Sequence, residues 1–398
     1  MERAIATTTS PGRSPIRAFR QLAAWALLAG AQCQPAYAWL EGFIDPEDGH
    51  LDMSEWLIDR KGFLPVPIVI TEPAVGYGAG LALLFVRNSI RESTEKSRET
   101  GHLTPPDLFV LGGAATENGT KAAFAGGMVS FDEDRWRYRG AVARADINLA
   151  FYGIGGAGFG DGLRSLNYSL DGWFSYQQAL RRLGDTDNWL GARWIYLDLG
   201  TQADLSDDPR SGLSPDQTTR RASGVGLTLE HDSRDNIFTP SSGWTGALDA
   251  TFYAPGLGSD TRFQSYRAHV FAYWPAARDL VVAGRLDGRS VSGQVPFYML
   301  PFIDMRGVPA ARYQDDHTAV AETELRWNVT PRWAAIGFIG AGRAWGRSAD
   351  FGDAPTAVSR GVGFRYLIAR RLGLWVGMDY AKGPESSTWY IQVGNAWR

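Results

Sequence analysis

Cysteine, long apolar runs and an excess of one charge are all missing from this sequence. Cys33 is the only cysteine among 398 residues, so the fold has neither a disulfide framework nor a thiolate metal site. After the N-terminal region, no stretch approaches the roughly 20 consecutive apolar residues that a membrane-spanning helix needs. The formal net charge is -3, and a chain this close to neutral lacks the basic surface that a nucleic-acid partner requires.

Residues 1–38 have the features of a secretory signal peptide. Arginines at 13, 17 and 20 precede an apolar run over 22–30, and Ala36-Tyr37-Ala38 is a small-x-small cleavage site. Cys33 lacks the flanking sequence of a lipid-attachment site, which disfavours a lipoprotein. Cleavage after Ala38 leaves residues 39–65 as a short periplasmic segment. This segment is shorter than a folded domain, so no N-terminal periplasmic domain is expected.

What the sequence does contain is glycine, aromatic residues and a two-residue alternation. Its 47 glycines, 15 tryptophans and 15 tyrosines accompany segments in which apolar and polar side chains alternate. In 319–329, Leu325 and Trp327 fall on one face, whereas Glu322, Glu324 and Arg326 fall on the other. This pattern predicts strands with an apolar face toward lipid and a charged face toward a lumen.

We interpret residues 66–398 as one all-β domain, a transmembrane antiparallel β-barrel of about 16 strands. Turn signals separate segments at 66–72, 76–88, 106–117, 120–132, 134–148, 164–180, 188–203, 219–233, 243–254, 262–275, 278–292, 318–330, 332–347, 356–369, 371–383 and 387–398. An even strand number returns both chain termini to the periplasm. A soluble β-sandwich is the alternative, but the segment lengths and the signal peptide favour the barrel.

An acidic segment at 45–52 superficially resembles a calcium loop. Its aspartates do not follow the Asp-x-Asp-x-Asp-Gly spacing of an EF-hand, so a solvated acidic tether or a short plug is favoured over a metal site. No metal ion or cofactor is expected in the chain.

The segment 231–243 is a candidate functional turn on the periplasmic side. Aspartate and asparagine side chains bond nearby backbone, proline fixes φ, and glycine accepts a positive φ. The turn-forming residues are Asp232, Arg234, Asp235, Asn236, Pro240 and Gly243. A purely structural tight turn is the alternative interpretation.

The longest outer loop, 293–317, is too apolar to remain in water and is therefore expected to fold back into the lumen. It carries Arg306 and Gly307. In a partly desolvated interior the Arg306 guanidinium needs carboxylate partners. Glu322 and Glu324 face that interior and are the candidate partners. Such a salt bridge either only holds the loop in place or takes part in gating.

Four motifs in this order resemble the BamA/TamA outer-membrane assembly superfamily, also called bacterial surface antigens. They are the turn Asp232-Ser233-Arg234-Asp235-Asn236, the loop motif Arg306-Gly307, the strand Glu324-Leu325-Arg326 and the glycine-rich segment 337–342. Residues 61–80 also resemble the opening strands of shorter members that lack periplasmic domains. The resemblance therefore extends over the mature chain.

The resemblance implies a sixteen-stranded barrel, an Arg-Gly loop tucked into the lumen, and a weak seam between the first and last strands. Arg306 would be the loop arginine of the family, and Glu324 one of its lumen partners. A second acidic partner is expected where this chain has Gly340. The clamp around the arginine is therefore incomplete unless Glu322 substitutes.

The two ends of the predicted barrel carry further information. Pro65, Pro67 and Pro73 interrupt the first segment, and proline removes a ladder donor, which supports a weakly paired seam. In the last segment Trp397 is predicted on the lipid face, and it is followed by Arg398 instead of ending the chain as an aromatic residue. The domains with which longer relatives receive client proteins are not expected in this chain.

Two functions from different classes agree with these features. In the first, the barrel serves outer-membrane biogenesis by inserting or translocating protein or lipid through the seam, whose strand edges would template incoming strands. In the second, it is a plugged or narrow passive channel, or a structural protein. An enzyme is not expected, because the five histidines are scattered and no hydrolase motif is present.

The expected location is the cell outer membrane. The expected partners are outer-membrane lipid and lipopolysaccharide, client outer-membrane proteins, and a second copy of the chain. No nucleic acid is expected among them.

Overall fold

One sheet of sixteen antiparallel strands makes up most of the protein. The computed structural model describes residues 43–58, 62–87, 92, 95, 104–153, 165–201 and 220–397. The predicted signal peptide, 1–38, lies outside these residues. A short helix, α1 (Ser54–Ile58), precedes the sheet. Nowhere in the described ranges is a helix both long and apolar enough to cross a bilayer.

The strand bounds follow the turn signals closely. The strands are β1 Gly62–Ile70, β2 Gly78–Val86, β3 Leu108–Thr116, β4 Lys121–Phe131, β5 Trp136–Phe151, β6 Leu166–Arg182, β7 Asn188–Thr201, β8 Arg221–Asp232, β9 Gly243–Tyr253, β10 Phe263–Ala277, β11 Leu280–Gly293, β12 His317–Asn328, β13 Trp333–Trp345, β14 Thr356–Ala369, β15 Leu374–Lys382 and β16 Ser387–Val393. The predicted all-β antiparallel barrel of sixteen strands is confirmed.

Each strand pairs with its neighbours in the sequence, and the strand order runs from β1 to β16 without a crossover. Among the described residues, no strand pairing joins β16 back to β1. The sheet is therefore a nearly closed barrel with one seam. We call the end where β1 begins and β16 ends the terminal end, and the opposite end the loop end.

Side chains alternate between the outside of the barrel and its lumen. On β12, Leu325 and Trp327 point outward and are 46% and 52% exposed, whereas Glu322, Glu324 and Arg326 point inward and are buried. Large apolar side chains are exposed in this way on nearly every strand. An apolar surface around the whole sheet suits a bilayer, because water does not solvate it favourably.

Two strand ends differ from the prediction by four residues or more. β1 begins at Gly62 instead of 66, so that Pro65 and Pro67 lie inside it. β16 ends at Val393 instead of 398, because Gly394 has a φ of +74° and turns the chain. The prediction that Trp397 faces lipid is therefore wrong: its ring is buried in the lumen in one cluster with Phe271 and Tyr273.

The prolines of β1 explain why the seam is unpaired. Pro65 and Pro67 lie opposite Leu83 and Leu81 of β2, and the register shows no irregularity at either position. In an antiparallel pair, successive residues direct their N–H groups to alternate sides. Because the β2 ladder is intact, both proline nitrogens face the seam, where two donors are therefore missing.

Restoring these donors should strengthen the seam. We expect the double variant Pro65→Val and Pro67→Val to pair more fully with β16, so that amide hydrogen exchange in the peptide 387–397 slows about tenfold, as two added hydrogen bonds of ~0.7 kcal/mol each imply. Mass spectrometry of the exchanged protein in detergent measures it. The variant Pro355→Val in the β13–β14 loop is the control and should leave that exchange unchanged. If the peptide 387–397 exchanges equally fast in the double variant and in wild type, Pro65 and Pro67 are not what weakens the seam.

Candidate functional site

The loop between β11 and β12, residues 294–316, fills the lumen at the loop end; we call it the inner loop. Its Val295, Phe297 and Ile303 are fully buried. The Phe297 ring packs edge-to-face on Tyr168, with centroids 5.0 Å apart, and on Phe151 at 5.5 Å. The predicted inward fold of this loop is confirmed, and its driving force is the burial of apolar side chains.

Arg306 lies deeper in the lumen, within a group of carboxylates. Its Nη1 atom is 2.8 Å from Glu324 Oε2 and 2.8 Å from Asp379 Oδ2. Glu322 is more distant, with 3.9 Å between Arg306 Nε and Glu322 Oε1. The guanidinium carbon also stacks 3.6 Å from the centroid of the Phe338 ring. Arg306 is therefore held by two close carboxylates and an aromatic face.

The second close carboxylate comes from a residue that the sequence reasoning did not single out. Asp379 on β15 is fully buried and also accepts hydrogen bonds from Arg365 at 2.6 and 3.0 Å. An acidic residue has no space at Gly340, where a Cβ atom would lie 2.5 Å from Glu322 Cγ and 2.6 Å from Met305 Sδ. The acid expected at that position is thus supplied from another strand, whereas Arg306 Nε and Nη2 are buried without a hydrogen-bond partner among the described residues.

The main partner of Glu322 is Arg285 and not Arg306, the partner expected from the sequence. Its Oε2 atom accepts a hydrogen bond of 2.9 Å from Arg285 Nη1. Arg285 also contacts Asp287, at 3.0 Å, and Asp287 in turn binds Arg289 at 3.1 Å. The charges of the lumen therefore form a continuous network, and such networks stabilise only if their members stay paired.

The inner loop contacts both sides of the seam. The Gly307 N–H donates a hydrogen bond of 2.9 Å to the Tyr390 hydroxyl on β16. The Ala310 N–H donates one of 3.0 Å to Glu72 Oε1, two residues beyond the end of β1. Gly307 has a φ of +83°, and a Cβ atom there would lie 2.9 Å from Gly383 N. A glycine is thus needed where the loop meets the last strands.

The segment 233–242 is the turn between β8 and β9, at the terminal end as expected. Asp232 forms two hydrogen bonds of 2.7 Å with Arg234, and Asp235 Oδ1 accepts the N–H groups of residues 241 and 242 at 2.9 and 3.2 Å. Gly243 has a φ of +85°, and Pro240 is buried. These interactions are local and explain why the turn is well defined.

The same turn also reaches across the terminal end of the barrel. Asn236 Nδ2 donates a hydrogen bond of 2.8 Å to the carbonyl of Leu372, in the turn between β14 and β15. Phe238 packs on the buried Leu372 and Ala369. Ser241 Oγ accepts a hydrogen bond of 2.7 Å from Arg326 Nη2 in the lumen. The turn 233–242 therefore reaches across the terminal end to the β14–β15 turn and to a lumen side chain, so its role is not purely local.

The acidic N-terminal segment is bound to the barrel, so the interpretation as a solvated tether is wrong. Arg332, fully buried in the turn after β12, lies 2.6 Å from a carboxylate oxygen of Asp45 and 2.6 Å from one of Asp48, and it also contacts Asp52. Arg370 binds Asp45 at 2.7 Å. The hydrogen bond from Arg332 lowers the pKa of Asp48 to about 2. The segment 43–58 is thus fastened across two terminal-end turns.

Removing Arg306 should destabilise the barrel strongly. The variant Arg306→Ala leaves the Glu324 carboxylate without its close partner charge and leaves Asp379 with Arg365 alone, and we expect the free energy of unfolding to fall by about 3–5 kcal/mol. Urea unfolding in detergent micelles measures the change. The exposed pair of Arg347 with Asp316, at 2.7 Å, offers a control, since Arg347→Ala should cost under about 1 kcal/mol. A loss for Arg306→Ala no larger than that of the control would refute the clamp.

The N-terminal segment should detach at low pH. Arg332 lowers the pKa of Asp48 to about 2, so this carboxylate stabilises the docked state above its unfolded pKa of ~3.9 and loses that contribution as the pH falls through the lower value. We expect a spin label at His50→Cys to stay immobile from pH 7 to 5 and to become mobile toward pH 2. Arg332→Gln should make the label mobile at pH 7, and Lys121→Gln should not. A label that stays immobile in Arg332→Gln is the contrary result.

No protein-family model matches the sequence, and no curated protein matches it either. Solved structures do match. BamA from Haemophilus ducreyi lacking POTRA domains 1–3 is 12% identical, with a TM-score of 0.55 over 84% of this chain and 70% of that chain. CdiB from Acinetobacter baumannii is 12% identical, with a TM-score of 0.50 over 83% of this chain and 59% of that one. CdiB from Escherichia coli is 11% identical, with a TM-score of 0.53 over 83% of this chain and 62% of that one.

The chain thus spans about three fifths of the length of the two CdiB chains. At identities of 11–12%, the likeness concerns the fold alone. The resemblance noted in the sequence is confirmed at that level: the protein has a sixteen-stranded barrel similar to those of BamA and CdiB.

Proposed function

We propose that this protein is an outer-membrane barrel that serves outer-membrane biogenesis by inserting or translocating a polypeptide or a lipid through the β1–β16 seam. The observation that carries the proposal is the absence of a ladder between these two strands, both of which lie within the described residues. Strand edges without a ladder partner can pair with an incoming strand through backbone hydrogen bonds. Client outer-membrane proteins or lipids are the proposed partners, and no catalytic step is involved.

The inner loop supports lateral rather than axial transport. Its apolar part and the Arg306 network occupy the lumen, and the turn 233–242 reaches across the terminal end. A passive channel would need a continuous polar path along this axis. The filled lumen therefore favours the seam over the alternative function of a narrow channel.

The inner loop also couples opening of the seam to its own displacement. Through Gly307 it binds Tyr390 on β16, and through Ala310 it binds Glu72 beside β1. A client strand that enters the seam has to separate these two partners. Opening of the seam and displacement of the loop are therefore linked, and the buried charges of Arg306 oppose both.

Locking the seam should abolish function without unfolding the barrel. We expect a disulfide between cysteines on β1 and β16, such as Val69→Cys with Ser387→Cys, to impair outer-membrane integrity in cells that depend on the variant. Reducing agent should restore it. The measurements are the abundance of outer-membrane β-barrel proteins and the entry of a large antibiotic.

A cross-link within the sheet is the matched control. Met378 and Ile391 lie opposite each other on the paired strands β15 and β16, so Met378→Cys with Ile391→Cys should have no effect. If the seam disulfide forms and cells are unaffected, the proposed lateral route is excluded. If both disulfides impair cells equally, the effect is due to cross-linking and not to the seam.

A further inference from the structure

Basic side chains on the outer surface near the loop end are distributed unevenly. On β4 to β8 each of them is neutralised by an acid. Lys121 pairs with Asp146 at 3.4 Å, and Arg144 pairs with Asp171 at 2.8 Å. The same holds for the pairs Arg220 with Asp198 and Arg221 with Asp260. Among the described residues, these four outward-facing basic side chains are therefore neutralised without any ligand.

Beside the seam the pattern is different. Arg343, Arg360 and Lys382 lie near the loop ends of β13, β14 and β15, and Arg360 is directly opposite Lys382 in the ladder. Arg360 shares the outward face with Val358 and Val362, which are 47% and 63% exposed. Within the described part of the chain, no carboxylate oxygen lies within 4.0 Å of any of the three cations. Arg343 bonds only neutral oxygens, Phe351 O and Thr356 Oγ1.

Such an arrangement is unfavourable without an anion. Like charges directly opposite each other on a sheet repel, and a cation on a lipid-facing surface loses solvation as its depth increases. Arg360 is the fifth residue of β14, below the exposed Val358, and so lies within the apolar belt. Because the described protein offers no counter-charge, the anion must come from the surroundings, and at this height these are lipid headgroups.

A groove for a hydrocarbon chain lies next to these cations. It has a volume of about 600 Å³ and runs between ridges formed by Trp274, Leu286, Ile339 and Val358. Small residues, among them Ala272 and Ala321, form its floor. Ile339 is directly opposite Arg360 in the β13–β14 ladder, so the groove opens beside the cations. Cations beside an apolar groove match a phosphorylated lipid, whose head and chains need these two surfaces together.

We propose that Arg360 and Lys382, with Arg343 above them, bind the phosphate groups of lipopolysaccharide while an acyl chain occupies the groove. The inference rests on the proposed placement in an outer membrane, where the loop end faces the leaflet that holds this phosphorylated glycolipid. The three cations lie one to three strands from the seam strand β16, and the groove extends from β14 away from the seam to β10. The protein would thus bind one specific lipid on its outer surface in addition to providing the proposed route through the seam.

Titration of the purified mature protein with lipopolysaccharide, followed by native mass spectrometry in detergent, tests the site. Each basic residue near an anionic lipid surface contributes about a factor of five in affinity, so Arg360→Gln with Lys382→Gln should bind about 25-fold more weakly. The charge-conserving variant Arg360→Lys with Lys382→Arg should bind nearly as wild type. Lys121→Gln with Arg144→Gln, at two of the neutralised positions, should also bind as wild type.

Three outcomes would overturn the proposal. They are wild-type binding by the Arg360→Gln and Lys382→Gln variant, an equal loss in the Lys121→Gln and Arg144→Gln variant, and equally tight binding of phosphatidylglycerol. Each variant should still migrate differently in gel electrophoresis before and after heating, which shows that the barrel is folded. Binding to the purified barrel does not require the seam to open, so a negative result from the seam disulfide leaves this test unaffected, and the reverse also holds.

Discussion

The burial of Arg306 is the constraint on which the interior of this barrel depends. A guanidinium at the tip of a long loop can be buried in the lumen only if carboxylates there neutralise its charge. Here Glu324 and Asp379 both lie 2.8 Å from Arg306. The apolar part of the inner loop then has to follow, and it covers Tyr168 and Phe151. The charged network and the apolar cluster are thus two parts of one arrangement, which occupies the lumen at the loop end.

Because the inner loop occupies the lumen, the seam is the part of the barrel that matters most for the proposed transport. Among the described residues, the β1–β16 seam is the one place where neighbouring strands are not joined by a ladder, and there Pro65 and Pro67 remove donors from the edge of β1. The inner loop contacts the residues beside this gap, Tyr390 on one side and Glu72 on the other. The inner loop therefore both occupies the lumen and contacts the two strands of the weakly closed seam. For this reason, a lateral route through the seam is the function that the geometry supports best.

Most of the fold could be predicted from the sequence, because a period of two in side-chain polarity is a local property. Leu325 and Glu324 show it within two residues. Asp379 was missed although it alternates with the outward Met378 and Tyr380, since nothing local connects it to Arg306 seventy-three positions away. The contact of Asp52 with Arg332 spans 280 positions and was missed for the same reason. Trp397 was misplaced because alternation does not reveal that Gly394 turns the chain inward.

We propose that the inner loop, held by Arg306, blocks the axis of the barrel, so that transport proceeds through the seam. Single-protein conductance in planar bilayers tests this most directly, with a variant lacking residues 297–313 as the positive control. We expect near silence for wild type and large currents for the loop-deleted variant. Large, steady currents through the wild-type protein would contradict it.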